Sequence, residues 1–278
     1  MLKKIAFSVL LLAMASLLVI SCGGGGGGNN TANTNESGPG EKPAFQSAGD
    51  EGTITGKILF TGAAPAPKTI DMGQDPVCVS SATEKTTEDV VVKDGKLLNV
   101  FVYVKSGGAV DKFSFSPGGG VTLDQKGCRY HPHVLGVMTK ENIKITNSDN
   151  TTHNIHPSPA KNQEWNQSQT AGAAPLEKSF ARQEVLIPVK CNQHPWMKAF
   201  IGVLPHPFFA VSKEDGSYTL PPLPPGEYTI VAWHEKYGEQ TQKVTVGAKE
   251  SKTQDFTFNA TSAYAPGSLK VEPALGLN

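Results

Sequence analysis

The segment Cys191-Asn-Gln-His-Pro-Trp-Met197 places a thiol, an imidazole and a thioether in one short loop. The runs EVLIPVK and KAFIGVL flank this loop, and both are rich in residues that favour strands. A thiolate, a thioether and imidazoles together favour copper, with two histidines and one cysteine in a plane and a weak axial methionine. Zinc fits less well, because its usual protein ligands do not include methionine. We therefore expect Cys191, His194 and Met197 to bind copper.

The histidines predict a further ligand, because all seven lie between positions 131 and 234. The segment 142–156 is an apolar strand followed by Asn-Ser-Asp and then by His-Asn-Ile-His. This pattern resembles the way cupredoxins present their first histidine, and Cys-x-x-His-Pro-x-Met resembles the ligand loop of amicyanins. The resemblance covers roughly residues 121 to 204.

The resemblance to cupredoxins implies a complete set of ligands for one type 1 copper ion. These ligands are His153, Cys191, His194 and Met197. His156 is then the histidine of the first motif that does not bind the metal. Asn154 is implied to hydrogen-bond to the ligand loop and so to hold it in place.

Pro195 and Trp196 fit an electron-transfer role for this loop. Proline lacks a backbone N–H and stiffens the chain beside the site, and Trp196 adds an apolar surface next to His194. We expect a partially exposed edge of His194, with Trp196 beside it, to be the port through which electrons enter and leave.

The cysteine count predicts a disulfide. Of the four cysteines, Cys22 belongs to the N-terminal signal described below and Cys191 to the ligand loop, which leaves Cys78 and Cys128. Without Cys22, three cysteines remain, which is an odd number. A disulfide between Cys78 and Cys128 pairs two of them, and an exported protein can form such a bond. An alternative stays open, in which Cys128, His131 and His133 bind a second metal.

Short strands dominate the rest of the chain. Segments such as TITGKILF, NVFVYVK, NIKITN and YTIVAWH are rich in β-branched and aromatic residues and are bounded by turn-forming residues. They predict an all-β protein built of sandwiches. The resemblance to cupredoxins implies that one of them is a Greek-key cupredoxin sandwich. Pro188 lies within the strand that leads into Cys191 and predicts an edge strand or a bulge there.

Two separate parts of the chain resemble halves of one carboxypeptidase regulatory-like, transthyretin-type sandwich. The segments 52–62 and 99–104 resemble its opening strands, and 209–220 and 223–230 resemble its closing strands. We expect residues 51–107 and 207–260 to fold together, because each half alone leaves an apolar sheet face uncovered. Residues 108–206 are then the cupredoxin-like copper domain, inserted in or adjacent to this module. Sequential small domains are the alternative.

The N-terminus predicts export and a lipid anchor. Lys3 and Lys4 precede an apolar run that is too short to span a bilayer, so residues 1–21 read as a signal peptide. Ser21 and Cys22 resemble the lipobox of bacterial lipoproteins, in which the cysteine is lipidated. Residues 22–50 are Gly-rich and polar and predict a disordered tether, and residues 261–278 form a C-terminal tail.

These features predict a lipid-anchored type 1 copper protein that relays single electrons between periplasmic redox partners, such as a c-type cytochrome or a dehydrogenase. It is expected on the periplasmic side of the outer membrane or at the cell surface, and as an electron carrier, not an enzyme. The alternative is a copper-binding or copper-storage lipoprotein, or one that interacts with proteins or carbohydrate. The net charge is +0, and no basic run is present to favour nucleic acid.

Overall fold

The computed structural model describes residues 42–261. The predicted signal peptide, Cys22, residues 22–41 of the predicted tether and the tail after residue 261 lie outside the described residues. Within the described residues, no helix is long and apolar enough to cross a membrane.

The prediction of an all-β protein is confirmed. The described chain forms two short helices, α1 (Pro76–Ser81) and α2 (Gly108–Lys112). It also forms nineteen strands: β1 (Thr53–Thr61), β2 (Val92–Lys93), β3 (Lys96–Leu97), β4 (Phe101–Gly107), β5 (Val121–Gln125), β6 (Tyr130–His131), β7 (Val134–Met138), β8 (Ile143–Asn147), β9 (His153–Pro157), β10 (Gln167–Gln169), β11 (Leu176–Lys178), β12 (Glu184–Lys190), β13 (Lys198–Leu204), β14 (Phe209–Val211), β15 (Ser217–Thr219), β16 (Gly226–His234), β17 (Gly238–Val246), β18 (Ser251–Thr253) and β19 (Phe256–Asn259).

The first sandwich combines strands from both ends of the described chain. In one sheet β1 pairs with β3 and with β15, β18 and β19, and in the other the order is β14-β4-β16-β17. Strands β1 and β4 therefore bury their apolar faces against partners that lie more than a hundred residues later in sequence. The core between the sheets is apolar and rich in aromatic side chains, among them Tyr218, Tyr228 and Phe258.

The second sandwich is built from strands of the middle of the chain. Its sheets have the orders β10-β9-β12-β13-β7 and β11-β8-β5-β6. Strand β8 shows why one face is buried, since Ile143 and Ile145 point into the core and Lys144 between them is exposed. The core also contains Leu123, Ile187 and Ile201, and it ends at Cys191 and Met197 of the predicted ligand loop.

Pro188 is accommodated inside a sheet, just after an irregular point of β12. Strand β12 is third in its five-stranded sheet, so it is not an edge strand. Its register against β13 shifts between Glu184 and Ile187, and pairing with β9 begins only at Val189. The missing N–H of Pro188 thus falls just before the ladder with β9, and the bulge expected in this strand lies before Pro188, which itself pairs regularly with Phe200.

The prediction that the whole of residues 22–50 is disordered is wrong for residues 42–50. The ring of Phe45 packs on Phe113, Phe115 and Phe208, with ring centroids 5.7, 5.3 and 6.5 Å away. The backbone N–H of Phe45 also donates to Ser114 O at 2.9 Å. The aromatic contacts of Phe45 and this backbone hydrogen bond together hold this part of the chain on the first sandwich.

The boundary drawn around residues 51–107 also needs correction. Residues 68–89, here called the cap segment, connect β1 to β2 and contain α1. Their buried side chains Met72, Cys78 and Ala82 belong to the core of the second sandwich, not the first. The segment is long enough to leave its own sandwich, and the disulfide between Cys78 and Cys128 ties it to the other one.

The two sandwiches share an apolar interface. Phe101 and Val231 of the first sandwich pack with Val134 and Leu204 of the second. Phe101 lies over Gly202, which pairs with a second glycine in the parallel ladder of β7 and β13. A Cβ atom on Gly202 would lie 2.5 Å from the Phe101 ring, so the missing side chain makes room for the aromatic contact.

Candidate metal centre

The predicted ligand loop is a tight connection between β12 and β13. The two strands pair up to Lys190 and Lys198, which leaves residues 191–197 as the loop. Within it, the N–H of Cys191 donates to Met197 O at 3.3 Å and the N–H of Met197 donates to His194 O at 2.9 Å. These backbone hydrogen bonds fix the loop with Cys191 and Met197 buried in the second core.

Strand β9 brings His153 to this loop. His153 is the first residue of β9, and β9 pairs with β12 through Val189 and Lys190, directly before Cys191. Sheet register therefore places the first predicted histidine beside the loop that holds the second. His153, Cys191 and His194 are all almost fully buried.

The donor atoms of these three residues converge. His153 Nδ1 lies 3.0 Å from His194 Nδ1, and Cys191 Sγ lies 3.7 Å from His194 Nδ1. All three residues offer ligand atoms within 4.8 Å of one another. First-row ions such as zinc bind nitrogen at about 2.0 Å and sulfur at about 2.3 Å, so one ion could contact all three atoms with little rearrangement.

Without a metal, the site favours a thiolate at Cys191 and a proton on His153, and a bound metal would have to displace that proton. Burial alone would raise the pKa of Cys191, but hydrogen bonds with His153 and His194 lower this pKa to about 5. Burial opposes a charge on His153, yet hydrogen bonds with Asp149 and Cys191 raise its pKa to about 9. Cys191 is thus a thiolate near neutral pH, and the thiolate is the form of cysteine that binds metals.

Asn154 connects the first histidine strand to the ligand loop. Its backbone N–H donates to Cys191 Sγ at 3.5 Å, and its Oδ1 accepts a hydrogen bond from Asn192 N at 2.6 Å. Its side-chain amide donates to Asn166 Oδ1 at 2.6 Å, and its carbonyl accepts from the hydroxyl of Tyr130 at 2.5 Å. The loop is therefore held from the side, independently of any metal.

The expectation of a partially exposed His194 edge is wrong, because the cap segment covers it. His194 is only 3% exposed. Its Nε2 lies 3.1 Å from Asp75 Oδ2 and 3.7 Å from Cys78 Sγ, both of the cap segment. Trp196 lies on another side with its ring centroid 5.1 Å from that of His194, and its Nε1–H donates to Cys128 O at 3.1 Å.

Cys78 and Cys128 form a disulfide, with 5.6 Å between their Cα atoms. The alternative of a second metal bound by Cys128, His131 and His133 is contradicted, because each of the three has another partner. His131 Nε2 lies 3.0 Å from Lys126 O, and His133 Nε2 lies 2.6 Å from Glu235 Oε1. Within the described residues these three do not form a donor cluster.

Two carboxylates of the site were not predicted. Asp149 Oδ2 lies 2.9 Å from His153 Nε2, and Asp75 Oδ2 contacts His194 Nε2 as described above. Asp149 stands four residues before His153 within Asn-Ser-Asp, so its position next to the first histidine motif was a usable signal. Asp75 lies 119 residues from His194 and reaches it only through the fold of the cap segment.

A comparison with protein-family models finds one of the two resemblances seen in the sequence. Residues 203–259 match the family model of the carboxypeptidase regulatory-like domain. The match falls on β14 to β19 of the first sandwich, so the resemblance stated for the closing half of that module is confirmed. A search of curated protein sequences found no significant match.

Solved structures similar to parts of the chain include copper proteins. A purple cupredoxin from Nitrosopumilus maritimus is 18% identical over 30% of this chain and 98% of its own, with a TM-score of 0.26. A reduced amicyanin variant is 17% identical over 37% of this chain and 97% of its own, with a TM-score of 0.28. A copper-containing nitrite reductase from Thermus scotoductus is 13% identical over 52% of this chain and 28% of its own, with a TM-score of 0.28.

Proposed function

We propose that this protein is a type 1 copper protein that exchanges single electrons with redox partner proteins. The observation that carries the proposal is the convergence of two imidazole nitrogens and one thiolate, from His153, His194 and Cys191, in a buried site. This combination of donors is the one that blue-copper centres use.

Copper would be held by His153, Cys191 and His194, with Met197 of the same loop as a fourth ligand. When bound, the ion would supply a one-electron couple between Cu(II) and Cu(I). The residues of the chain keep the donors in place, since the loop is closed by its own backbone hydrogen bonds and by Asn154. A site fixed in this way needs little rearrangement when the oxidation state changes.

The burial of the donors supports a carrier over a catalyst. None of His153, Cys191 and His194 is more than 3% exposed, so a substrate has no open path to an ion between them. Electrons can cross the surrounding atoms, whereas a substrate would have to displace them. The partners are proposed to be redox proteins such as a c-type cytochrome or a dehydrogenase.

A lipid anchor at Cys22 is part of the proposal and rests on the sequence. It would hold the protein on the periplasmic side of the outer membrane or at the cell surface. Replacing Cys22 with Ala should move the protein out of the membrane fraction, whereas Ser21→Ala, which keeps a small residue before the cysteine, should leave it there. Membrane association of the Cys22→Ala variant would contradict the anchor.

Copper storage or delivery is a second candidate, and the cover over His194 favours it. An electron carrier gains from an exposed ligand edge, while a store gains from a closed site. Tight binding of Cu(I) by a colourless protein that gives no blue Cu(II) form would support storage and contradict the electron-transfer proposal.

The deciding experiment is spectroscopy of the purified full chain after addition of copper. We expect an intense blue colour from thiolate-to-copper charge transfer, which a reductant bleaches and reoxidation restores, together with a type 1 electron spin resonance signal. Cys191→Ser should abolish the colour and leave the β-structure in circular dichroism intact. Persistent colour in Cys191→Ser would remove Cys191 from the ligand set and overturn the proposal.

A further inference from the structure

Both histidines of the candidate centre turn their second ring nitrogen to a carboxylate. His153 Nε2 lies 2.9 Å from Asp149 Oδ2, and His194 Nε2 lies 3.1 Å from Asp75 Oδ2. An ionised carboxylate can only accept, so Nε2 carries the hydrogen in each contact. The Nδ1 atoms are the ones that face each other and Cys191.

The two carboxylates are themselves fixed by other hydrogen bonds. Asp149 accepts from the N–H groups of Gly127 and Cys128, both at 2.7 Å. Asp75 accepts from Val77 N at 2.8 Å as the N-cap of α1, and from Thr151 Oγ1 at 2.6 Å. Neither side chain is free to turn away from its histidine.

The disulfide joins the two segments that position these carboxylates. Cys78 lies in α1, which Asp75 caps, and Cys128 provides one of the N–H groups that hold Asp149. The bond between Cys78 and Cys128 therefore closes a frame around the outer side of both histidines. The frame is assembled from the cap segment and from the turn after β5, so it belongs to no single strand pair.

We infer that Asp75 and Asp149 are positioning residues, which orient His194 and His153 for the metal and whose negative charges lower the reduction potential of the bound copper. The inference rests on the proposed function. Its physical basis is that Cu(II) carries one more positive charge than Cu(I), so a nearby fixed anion stabilises the oxidised ion more. A carboxylate partner also makes an imidazole a more basic ligand.

Burial decides which carboxylate acts more strongly. The side chain of Asp149 is 5% exposed and that of Asp75 is 16% exposed. Water and salt screen a partly exposed charge more than a buried one. Asp149 therefore has the larger effect on the potential, and Asp75 combines a smaller effect with its role in covering His194.

The test compares the copper-loaded full chain with Asp149→Asn and Asp75→Asn, since asparagine keeps an acceptor oxygen and removes the charge. A tenfold larger loss of Cu(II) affinity than of Cu(I) affinity raises a one-electron potential by about 59 mV. We expect a rise of about that size for Asp149→Asn and a smaller rise for Asp75→Asn. Asp71→Asn removes an exposed charge from the same cap segment and should leave the potential nearly unchanged.

A second measurement does not depend on redox activity. The affinity for Co(II) should fall 10- to 100-fold in Asp149→Asn, which is the usual effect of losing the partner of a metal-bound histidine. Asp149→Glu keeps the charge and should restore both potential and affinity in part. If the circular dichroism of an Asp149 variant differs from that of the wild type, the Co(II) comparison uses Asp75→Asn instead.

The outcomes separate the inference from the function beneath it. Unchanged potentials and Co(II) affinities in both Asn variants of a blue protein would overturn the inference and leave the proposed function standing. A wild-type chain without a blue copper form would overturn the proposed function, and the Co(II) affinities would still decide whether the carboxylates position the histidines.

Discussion

The two sandwiches each bury a pair of histidines, and the surroundings of the pairs differ. His153 and His194 in the second sandwich are 0% and 3% exposed, and His206 and His234 against the first core are 3% and 1% exposed. The first pair faces a cysteine and two carboxylates. The second pair lies on aromatic rings, with His206 stacked on Phe208 and His234 on Tyr237.

The surroundings set the charge state of each pair. Burial lowers the pKa of His206 to about 4 and that of His234 to about 3, so both are neutral packing residues at neutral pH. Their Nδ1 atoms accept hydrogen bonds from nearby backbone N–H groups, of Phe208 and Lys236. Burial alone therefore gives a histidine that fills a core, and a metal site also requires convergent donors and a partner for the second nitrogen.

The largest expected effect is on copper affinity, which should distinguish the histidine pair of the second sandwich from that of the first. His153→Gln should reduce copper affinity at least 100-fold, because it removes a ligand, which costs more than losing the partner of a ligand. His234→Gln should leave copper affinity unchanged and only destabilise the first sandwich. Isothermal titration with copper under matched conditions measures both. Equal losses in the two variants would show that the comparison between the pairs is false.

The sequence was sufficient for the parts of the site that lie close together along the chain. The ligand loop spans residues 191–197, and His153 follows a strand whose alternating pattern can be read directly. The elements of the first sandwich were likewise recognisable from short strands bounded by turn-forming residues, as in the segments 209–220 and 223–230. Side-chain alternation and turn geometry can be read from neighbouring residues, and the assignment of His153 to the site came from the resemblance of residues 142–156 to cupredoxins.

The second expected effect concerns the frame around the histidines. Replacing Cys78 and Cys128 with Ala opens a loop with a sequence separation of 50 residues. Chain-entropy arguments assign such a crosslink about 4 kcal/mol of unfolding free energy. Denaturant unfolding of the metal-free protein should show this loss, while the blue copper spectrum is retained because no metal ligand is removed. A stability equal to that of the wild type would mean that the disulfide does not hold the cap segment.

The cap segment is also the part that sequence analysis assigned to the wrong sandwich. Its residues carry no strand pattern that pairs them with either module, and its anchoring to Arg129 and to the disulfide is long-range. The cover over the Nε2 side of His194 follows from this anchoring. Phe45 was missed for a related reason, since a single aromatic residue in a polar segment shows no periodicity.

A third effect tests the apolar interface between the two sandwiches and leaves both histidine pairs unchanged. Gly202→Ala places a methyl group against the ring of Phe101, where a Cβ atom would lie 2.5 Å away. Overpacking of this kind costs about 1–3 kcal/mol. Thermal unfolding should detect the loss in the metal-free protein. Gly119→Ala is the matched control, because a Cβ atom there would meet nothing within 4 Å and the backbone of Gly119 has no positive φ.

The smallest effect concerns His133, which has carboxylate neighbours but no cysteine. Its Nε2 lies 2.6 Å from Glu235 Oε1 and its Nδ1 lies 3.6 Å from Glu88 Oε1. Burial disfavours the charged ring, but the hydrogen bond to Glu235 and the charge of Glu88 raise the pKa of His133. The surroundings of His133 thus combine features of the two pairs. His133 has carboxylate partners, as His153 and His194 do, but it has no cysteine as a second donor for a metal.

The raised pKa of His133 predicts the direction in which the free energy of unfolding changes with pH. Its contribution is fully present below the unfolded pKa of about 6.5 and is lost as pH rises through the higher folded value. His133→Gln should therefore destabilise the metal-free protein most near pH 6 and less as pH rises. His131→Gln, which removes a histidine whose Nε2 lies 3.0 Å from the carbonyl oxygen of Lys126 and not beside a carboxylate, is the matched control. Denaturant unfolding from pH 6 to pH 9 measures both differences, and a constant difference for His133→Gln would mean that its carboxylate partners do not favour the charged ring.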